Sequence, residues 1–253
     1  MSALAISFIV FACVFGSALA GFYLRTRLPE HHLSEDSLRA VSLAIGLIAT
    51  LAALVLGLLT ASAKSSFDKL DDNFRQVAAK VVLFDRALAN YGPETKEARE
   101  MLLSTYASVI ELVFSADGSG LARLDTPQRV AGLEKIQSMV RALTPQNDSQ
   151  RWLQGRALEL GNDVTQIRSL IISQGAGSIP TPLLVILVLW LGIIFAGFGL
   201  LTTNNLTVAA ALFVCAVSVS CSVFLVEEMS RPLDGLLRLP IAPHLDALSH
   251  LGK

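Results

Sequence analysis

Four stretches of this chain, residues 3–24, 38–63, 181–201 and 206–226, are apolar over the roughly 20 residues a helix needs to cross a hydrocarbon core. Asp, Glu, Lys and Arg stand only at their margins, with Arg39 and Lys64 at the two ends of the second stretch. Each is read as a transmembrane helix, because a spanning segment must satisfy its own backbone amides where lipid offers none. Composition agrees: 53% of the 253 residues are hydrophobic and 16% are charged, outside ordinary soluble usage. A net charge of -1 leaves no excess of cations to neutralise a phosphate backbone, which excludes a general nucleic-acid binder. Cys13, Cys215 and Cys221 fall inside apolar runs, where a thiol acts as a small hydrophobe, so neither a disulfide framework nor a metal cage is expected. The motif Ser17-Ala-Leu-Ala20 resembles a signal-peptide cleavage site. The first run nevertheless lacks a positive start and is too long for a signal sequence, so it is expected to remain as a span.

These runs define an all-α integral membrane protein with four transmembrane helices and a helical cytosolic insert between the second and third. The expected divisions are a first transmembrane hairpin (1–64), a cytosolic helical domain continuous with the second span (65–179), a second hairpin (180–229) and an interfacial or cytosolic tail (230–253). Lys64, Lys69, Arg75, Arg168, Arg231 and Arg238 outweigh Arg25, Arg27 and Arg39, which places both termini in the cytoplasm by the positive-inside rule. The insert is no linker, since 65–175 interleaves 13 Lys and Arg and 14 Asp and Glu with helically spaced apolar residues. The turn Asn90-Tyr-Gly-Pro93 separates its first two helices, and Thr126-Pro127 and Thr144-Pro145 each pair a capping hydroxyl with a first-turn proline, giving four helices. In the last of them Leu153, Ala157, Leu160, Val164, Ile167 and Ile171 form one apolar stripe.

In the insert's first helix, Phe67, Leu70, Phe74, Val77, Val81, Phe84, Leu88 and Tyr91 alternate steps of three and four, a heptad seam. Carried backwards, the same register meets Ala63, Thr60, Leu56, Ala53, Ala49, Gly46 and Ser42. No proline interrupts residues 38–90, so a single helix of about 53 residues, near 80 Å long, is predicted. Within the bilayer one side of it is small (Ala49, Ala53, Gly57, Ala61) and the other bulky (Leu43, Leu47, Leu51, Leu54, Leu58). Small residues at four-residue spacing allow close helix approach. Two readings follow. The small face packs on another span of the same chain, or it lines a conduit between copies, with Ser42, Gly46, Ala49, Ala53 and Thr60 toward the axis and Phe67 and Phe74 as a constriction that gates by dewetting.

The fourth run ends in FLVEEMSRPLDGLLRLP, residues 224–240. Glu227 and Glu228 mark where the helix meets water, Pro232 stops it, Asp234-Gly235 favours a turn, and Leu236, Leu237, Leu239 and Ile241 return to the interface or dock on the helical domain. Arg231 and Arg238 suit lipid headgroups or acidic partners. This stretch, with LVLGLLTASAKSSFDKLDDNF at 54–74 and the four-span layout, resembles the bacterial bestrophin-like family of membrane proteins. The resemblance implies a homo-oligomer, pentameric as in bestrophins proper, in a bacterial inner membrane. It also implies an anion-conducting pore lined by the second span, and small inorganic ions and the lipid bilayer as partners. By position Glu227, Glu228, Arg231, Pro232, Asp234 and Gly235 match that family's exit motif, with Leu233 in place of the aromatic residue after the proline. Only Asp234 precedes Leu236-Leu-Arg-Leu239, so the calcium clasp of the animal members is not expected.

His31-His32 sits beside Glu30, Glu35 and Asp36, but adjacent histidines diverge and no third ligand is fixed by spacing; His244 and His250 have no support either. Gly118-Ser-Gly120 lacks the lysine of a phosphate loop, and no nucleophile has a base partner by motif, so no enzyme, cofactor or metal is expected. The leading function is an oligomeric ion channel. The alternative is a non-conducting membrane scaffold or signalling protein that recruits a partner through the helical insert. A proton-driven machine ranks below both, because the spans lack ionisable residues.

Overall fold

The computed structural model describes residues 2–29, 34–114, 127–175, 181–202, 205–231 and 235–253. The readings made above for His31, His32, Gly118 to Gly120, Thr126, Pro232 and Asp234 concern residues outside this set. Among the described residues every regular element is helical: α1 (Ala3–Arg27), α2 (Glu35–Tyr91), α3 (Lys96–Val113), α4 (Pro127–Ala142), α5 (Asp148–Gly175), α6 (Thr181–Leu201), α7 (Leu206–Met229) and α8 (Ala242–His250), with a 3-10 turn at Pro93–Thr95. By length and apolarity α1, α2, α6 and α7 can each cross a membrane. The chain divides into two compact units, Met1–Ser65 with Ser178–Ser230, and Ser66–Gly177 with Arg231–Lys253.

Helix α2 contributes to both units as one element of 57 residues. It starts where the Ser34 hydroxyl accepts from the Ser37 amide at 3.4 Å, with Glu35 and Asp36 in the first turn to complement the exposed amides. It ends where Gly92 takes a φ of +143°, a conformation L side chains rarely adopt. Thr95 then turns its hydroxyl back to the Leu88 carbonyl at 2.6 Å, satisfying one of the carbonyls a helix end leaves open.

In the first unit α1 packs along α6 and α7. Val10, Val14, Ala18 and Phe22 of α1 meet Leu187, Leu191, Ile194 and Phe195 of α6, Leu212, Ala216 and Val223 of α7, and Ile45, Ala52, Leu59 and Ala63 of α2. The α1–α6 contact is backbone to backbone. A Cβ placed on Gly21 would overlap the Ala196 carbonyl, and one on Gly199 would overlap the Ala18 carbonyl. Such close approach drives association where lipid tails remove the hydrophobic incentive. Two polar contacts add to this packing: Ser7 Oγ of α1 donates to the Ser220 carbonyl of α7 at 2.9 Å, and Arg25 Nη1 of α1 donates to the Leu200 carbonyl, also at 2.9 Å, at the open end of α6.

In the second unit the aromatic seam of α2 is the central beam of its own chain's core. Val81, Phe84 and Leu88 pack with Leu102, Tyr106 and Ile110 of α3, Ile136 and Val140 of α4, and Ala157, Leu160 and Val164 of α5. All six residues of the stripe read on α5 are buried. One boundary differs from the sequence reading: α5 begins at Asp148 rather than at Thr144-Pro145. Asn147 is the cap, its Oδ1 accepting from the Gln150 amide at 2.8 Å, and an Asn side chain there satisfies an open amide that Thr144 is too far upstream to reach.

Replacing Gly199 by Val is predicted to cost about 1–3 kcal/mol by overpacking the α1–α6 contact. The same experiment on Gly46 or Gly57, where an added Cβ meets nothing within 4 Å, should leave the melting temperature in detergent unchanged.

Candidate functional site

Within the first unit, α2 carries three distinct faces. Ile45, Ala52, Leu59 and Ala63 are buried against the chain's own helices. Leu43, Leu47, Leu51, Leu54 and Leu58 are exposed, from 43% at Leu51 to 77% at Leu43. The stripe of small residues lies between them: Ser42, Gly46, Ala53 and Thr60 are exposed, and Ala49 is half-buried at its edge. At 100° per residue the small stripe is centred roughly 80° from the buried face.

That angle corrects the sequence reading of one unbroken face. A strict alternation of three and four has a period of 3.5, while a helix turns once in 3.6 residues, so the pattern rotates by roughly 20° per heptad. Ile45 is five whole turns of 3.6 from Ala63 and stays over it; Ser42, three heptads from Ala63, has rotated by roughly 60°. The seam that is buried in the second unit therefore continues along the apolar half of α2 as Ala63, Leu59, Ala52 and Ile45, and the small stripe swings clear of it. Below Lys64 the chain uses the seam itself. Phe74 is 5% exposed, edge-on to Phe114 at 6.1 Å and to His244 at 5.6 Å, and Phe67 packs half-buried on the same cluster. A free-standing ring at Phe74 is not available, because α3 and the C-terminal segment already cover it.

At the exit of α7, Glu228 is buried and Glu227 half-buried. The helix stops at Met229, with the Ser230 hydroxyl donating to the Val226 carbonyl at 2.9 Å. Arg231 and Gly235 are half-buried. Past them the tail divides its leucines. Leu239 is buried with Leu70, Phe74, Val113, Ile167 and Ile171, while Leu236 and Leu237 are 78% and 42% exposed.

Two polar groups that sequence reasoning missed anchor this tail. Asp85, 1% exposed, takes a bidentate pair from Arg99, with Nε at 2.8 Å and Nη2 at 2.9 Å, and its Oδ2 also accepts from the Gly252 amide at 3.3 Å. The hydrogen bond to Asp85 raises the pKa of the Arg99 guanidinium, which stays a cation throughout. His244, also 1% exposed, shares a 2.7 Å hydrogen bond between Nδ1 and the Tyr106 hydroxyl. Burial pushes the imidazole down to about 4, against a smaller opposing field from Asp71, and raises the pKa of the Tyr106 hydroxyl. A cavity of about 90 Å³ lies beside this pair, walled mainly by Val77, Val81, Leu102, Ile136 and Val164. Asp85 had a visible signal, an acid inside the heptad seam beside Phe84; His244 had none, because α8 is only nine residues long and lacks a readable period. Among the described residues no group of three His, Cys, Asp or Glu side chains could hold a metal ion.

These features define an all-helical protein with four helices fit to cross a membrane and a second helical unit that its own C-terminal segment completes. The chain belongs to the bestrophin-like family, since the Bestrophin-like domain matches residues 12–243. Its fold is shared with crystal structures of single-residue variants of a bacterial bestrophin homologue from Klebsiella pneumoniae. One has a TM-score of 0.69 at 15% identity, covering 99% of this chain and 97% of that one. Another has 0.66 at 15% identity, covering 98% of each chain. A structure described as a membrane protein gives 0.68 at 14% identity, covering 96% of each. Among curated proteins none matches the chain.

Removing one partner of the buried ion pair, by Asp85→Ala or Arg99→Ala, is predicted to cost about 3–5 kcal/mol. The joint replacement Asp85→Leu with Arg99→Met should cost much less than the sum of the single changes, as read from denaturation midpoints in detergent.

Proposed function

We propose that the chain is a subunit of a homo-oligomeric ion channel in which α2 of each copy lines a shared axial path. The observation that carries this reading is the small stripe on α2. One chain leaves Ser42, Gly46, Ala53 and Thr60 uncovered while it buries the adjacent face of the same helix. Bulky exposed leucines are at home in acyl chains, whereas a stripe of small residues gives lipid little surface to fill and gives a helix neighbour or a conduit a short approach. Thr60 donates its hydroxyl to the Leu56 carbonyl at 2.8 Å, so the stripe offers a passing ion little charge. Conduction past such a wall is governed by width and wetting rather than by fixed ligands. Membership of the bestrophin-like family supports a pentamer, passage of anions and a bacterial inner membrane. The Lys and Arg distribution supports cytoplasmic termini and a cytoplasmic second unit.

Glu227 and Glu228 at the exit of α7, followed by Arg231, Pro232, Asp234 and Gly235, are assigned to positioning the chain where the span ends, with Glu228 buried there. Phe67 and Phe74 are assigned to the core of the second unit instead of the path.

Purified protein in liposomes should pass chloride or small cations. Ala53→Trp, on the small stripe, should abolish flux or assembly, and Leu54→Trp, on the leucine face, should retain both. A wild-type protein that assembles but conducts nothing across a range of voltage and pH would favour the scaffold instead.

A further inference from the structure

The C-terminal helix α8 is seated on the second unit through one polar side chain in an otherwise apolar joint. Its buried residues are His244 and Ala247, with Leu251 just beyond. The His244 ring stands among Phe74 of α2 at 5.6 Å, Phe114 after α3 at 5.6 Å and Tyr106 of α3 at 6.1 Å. A helix of nine residues has negligible stability of its own, so α8 exists because it docks. We propose that this joint is an acid-sensitive latch: the neutral imidazole of His244 keeps α8 seated in the aromatic cage, and its protonation releases the C-terminal segment from the second unit.

The charges around the ring set the direction. On α2, Asp71 favours the imidazolium, but less than burial disfavours it. On α3, Tyr106 supplies the hydrogen bond. On α5, Arg168 lines the same cavity. From α4 the cavity wall is Leu133 and Ile136, which carry no charge. On α8 itself Asp246 faces outward to His250 at 3.7 Å. What remains to hold the segment when His244 is charged is Leu239, Ala247 and Leu251, the Gly252 amide on Asp85 and the Lys253 carbonyl oxygen on Arg99 at 2.9 Å.

A seated His244 titrates at about 4 and a released one near its ordinary 6.5, so seating favours the neutral form. Docking is at full strength above pH 6.5, weakens as the pH falls from 6.5 toward 4, and weakens no further below that. At pH 5 the docking constant should be roughly 30-fold smaller than at pH 7.5.

The test uses the full chain in nanodiscs, with its three cysteines replaced by Ala and spin labels at the exposed Ser249 of α8 and Ser104 of α3. One short inter-label distance is expected at pH 7.5, with a longer population growing in at pH 5. His244→Phe, an uncharged ring, should remain short at both. An unchanged wild-type distribution at pH 5, or an equal acid response in His244→Phe, overturns the latch. If His244→Phe fails to dock at either pH, Tyr106→Phe decides. A release midpoint moved toward higher pH supports the latch, and an unmoved midpoint overturns it.

Discussion

A helix without internal proline satisfies its own backbone, and what then decides its surroundings is which of its sides find cover. Along the first unit, α2 is buried by its own chain at Ile45, Ala52, Leu59 and Ala63, with Val41, Ile48, Ala49, Val55 and Leu56 partly covered beside them. Part of that cover comes from α1 and α6, which are locked at backbone distance through Gly21 and Gly199, and α7 packs beside α1. The remaining circumference of α2 is split between leucines, which lipid can solvate, and a stripe of small residues. The channel reading grows from that stripe, and family membership gives it its chemistry.

The second unit solves a different problem. Its helices are amphipathic, and the seam of α2 is consumed as an ordinary core with α3, α4 and α5. The last 20 or so residues are part of that core, because Leu239, His244, Ala247 and Leu251 fill positions that the other helices leave open. Charges inside are few and paired: Asp85 has Arg99, and His244 is kept neutral by burial beside Tyr106. Each is tolerable as it stands, and each becomes costly when one partner is removed or a proton is added.

Much of this was legible in advance. The four helices long and apolar enough to cross a membrane followed from apolar length alone, since lipid imposes so few solutions. The continuous α2 followed from the lack of proline between residues 38 and 90, and the apolar stripe on α5 from its period. The misreadings have specific causes. Extending the seam at 3.5 residues per turn through three heptads, nearly six turns of a 3.6-residue helix, accumulated a rotation that moved the small stripe off the packing face. The start of α5 fell to Asn147, because capping by a side chain outweighs a favourable proline upstream. The seat of His244 depends on a contact 138 residues away, to Tyr106, and nothing in the local pattern around Pro243 announces it. The family resemblance of the exit motif was readable, while its two central residues, Pro232 and Asp234, lie outside the described set.

The central claim, that the small side of α2 faces a water-filled axis shared by several copies, is tested most directly by a cysteine-accessibility scan. Single cysteines would be placed from Ser42 to Thr60 in a background lacking Cys13, Cys215 and Cys221, and reacted with a charged, membrane-impermeant thiol reagent. The account predicts modification at Ser42, Gly46, Ala53 and Thr60, with protection at Leu43, Leu47, Leu54 and Leu58. Equal protection of both sets, or modification on the leucine side instead, would contradict it.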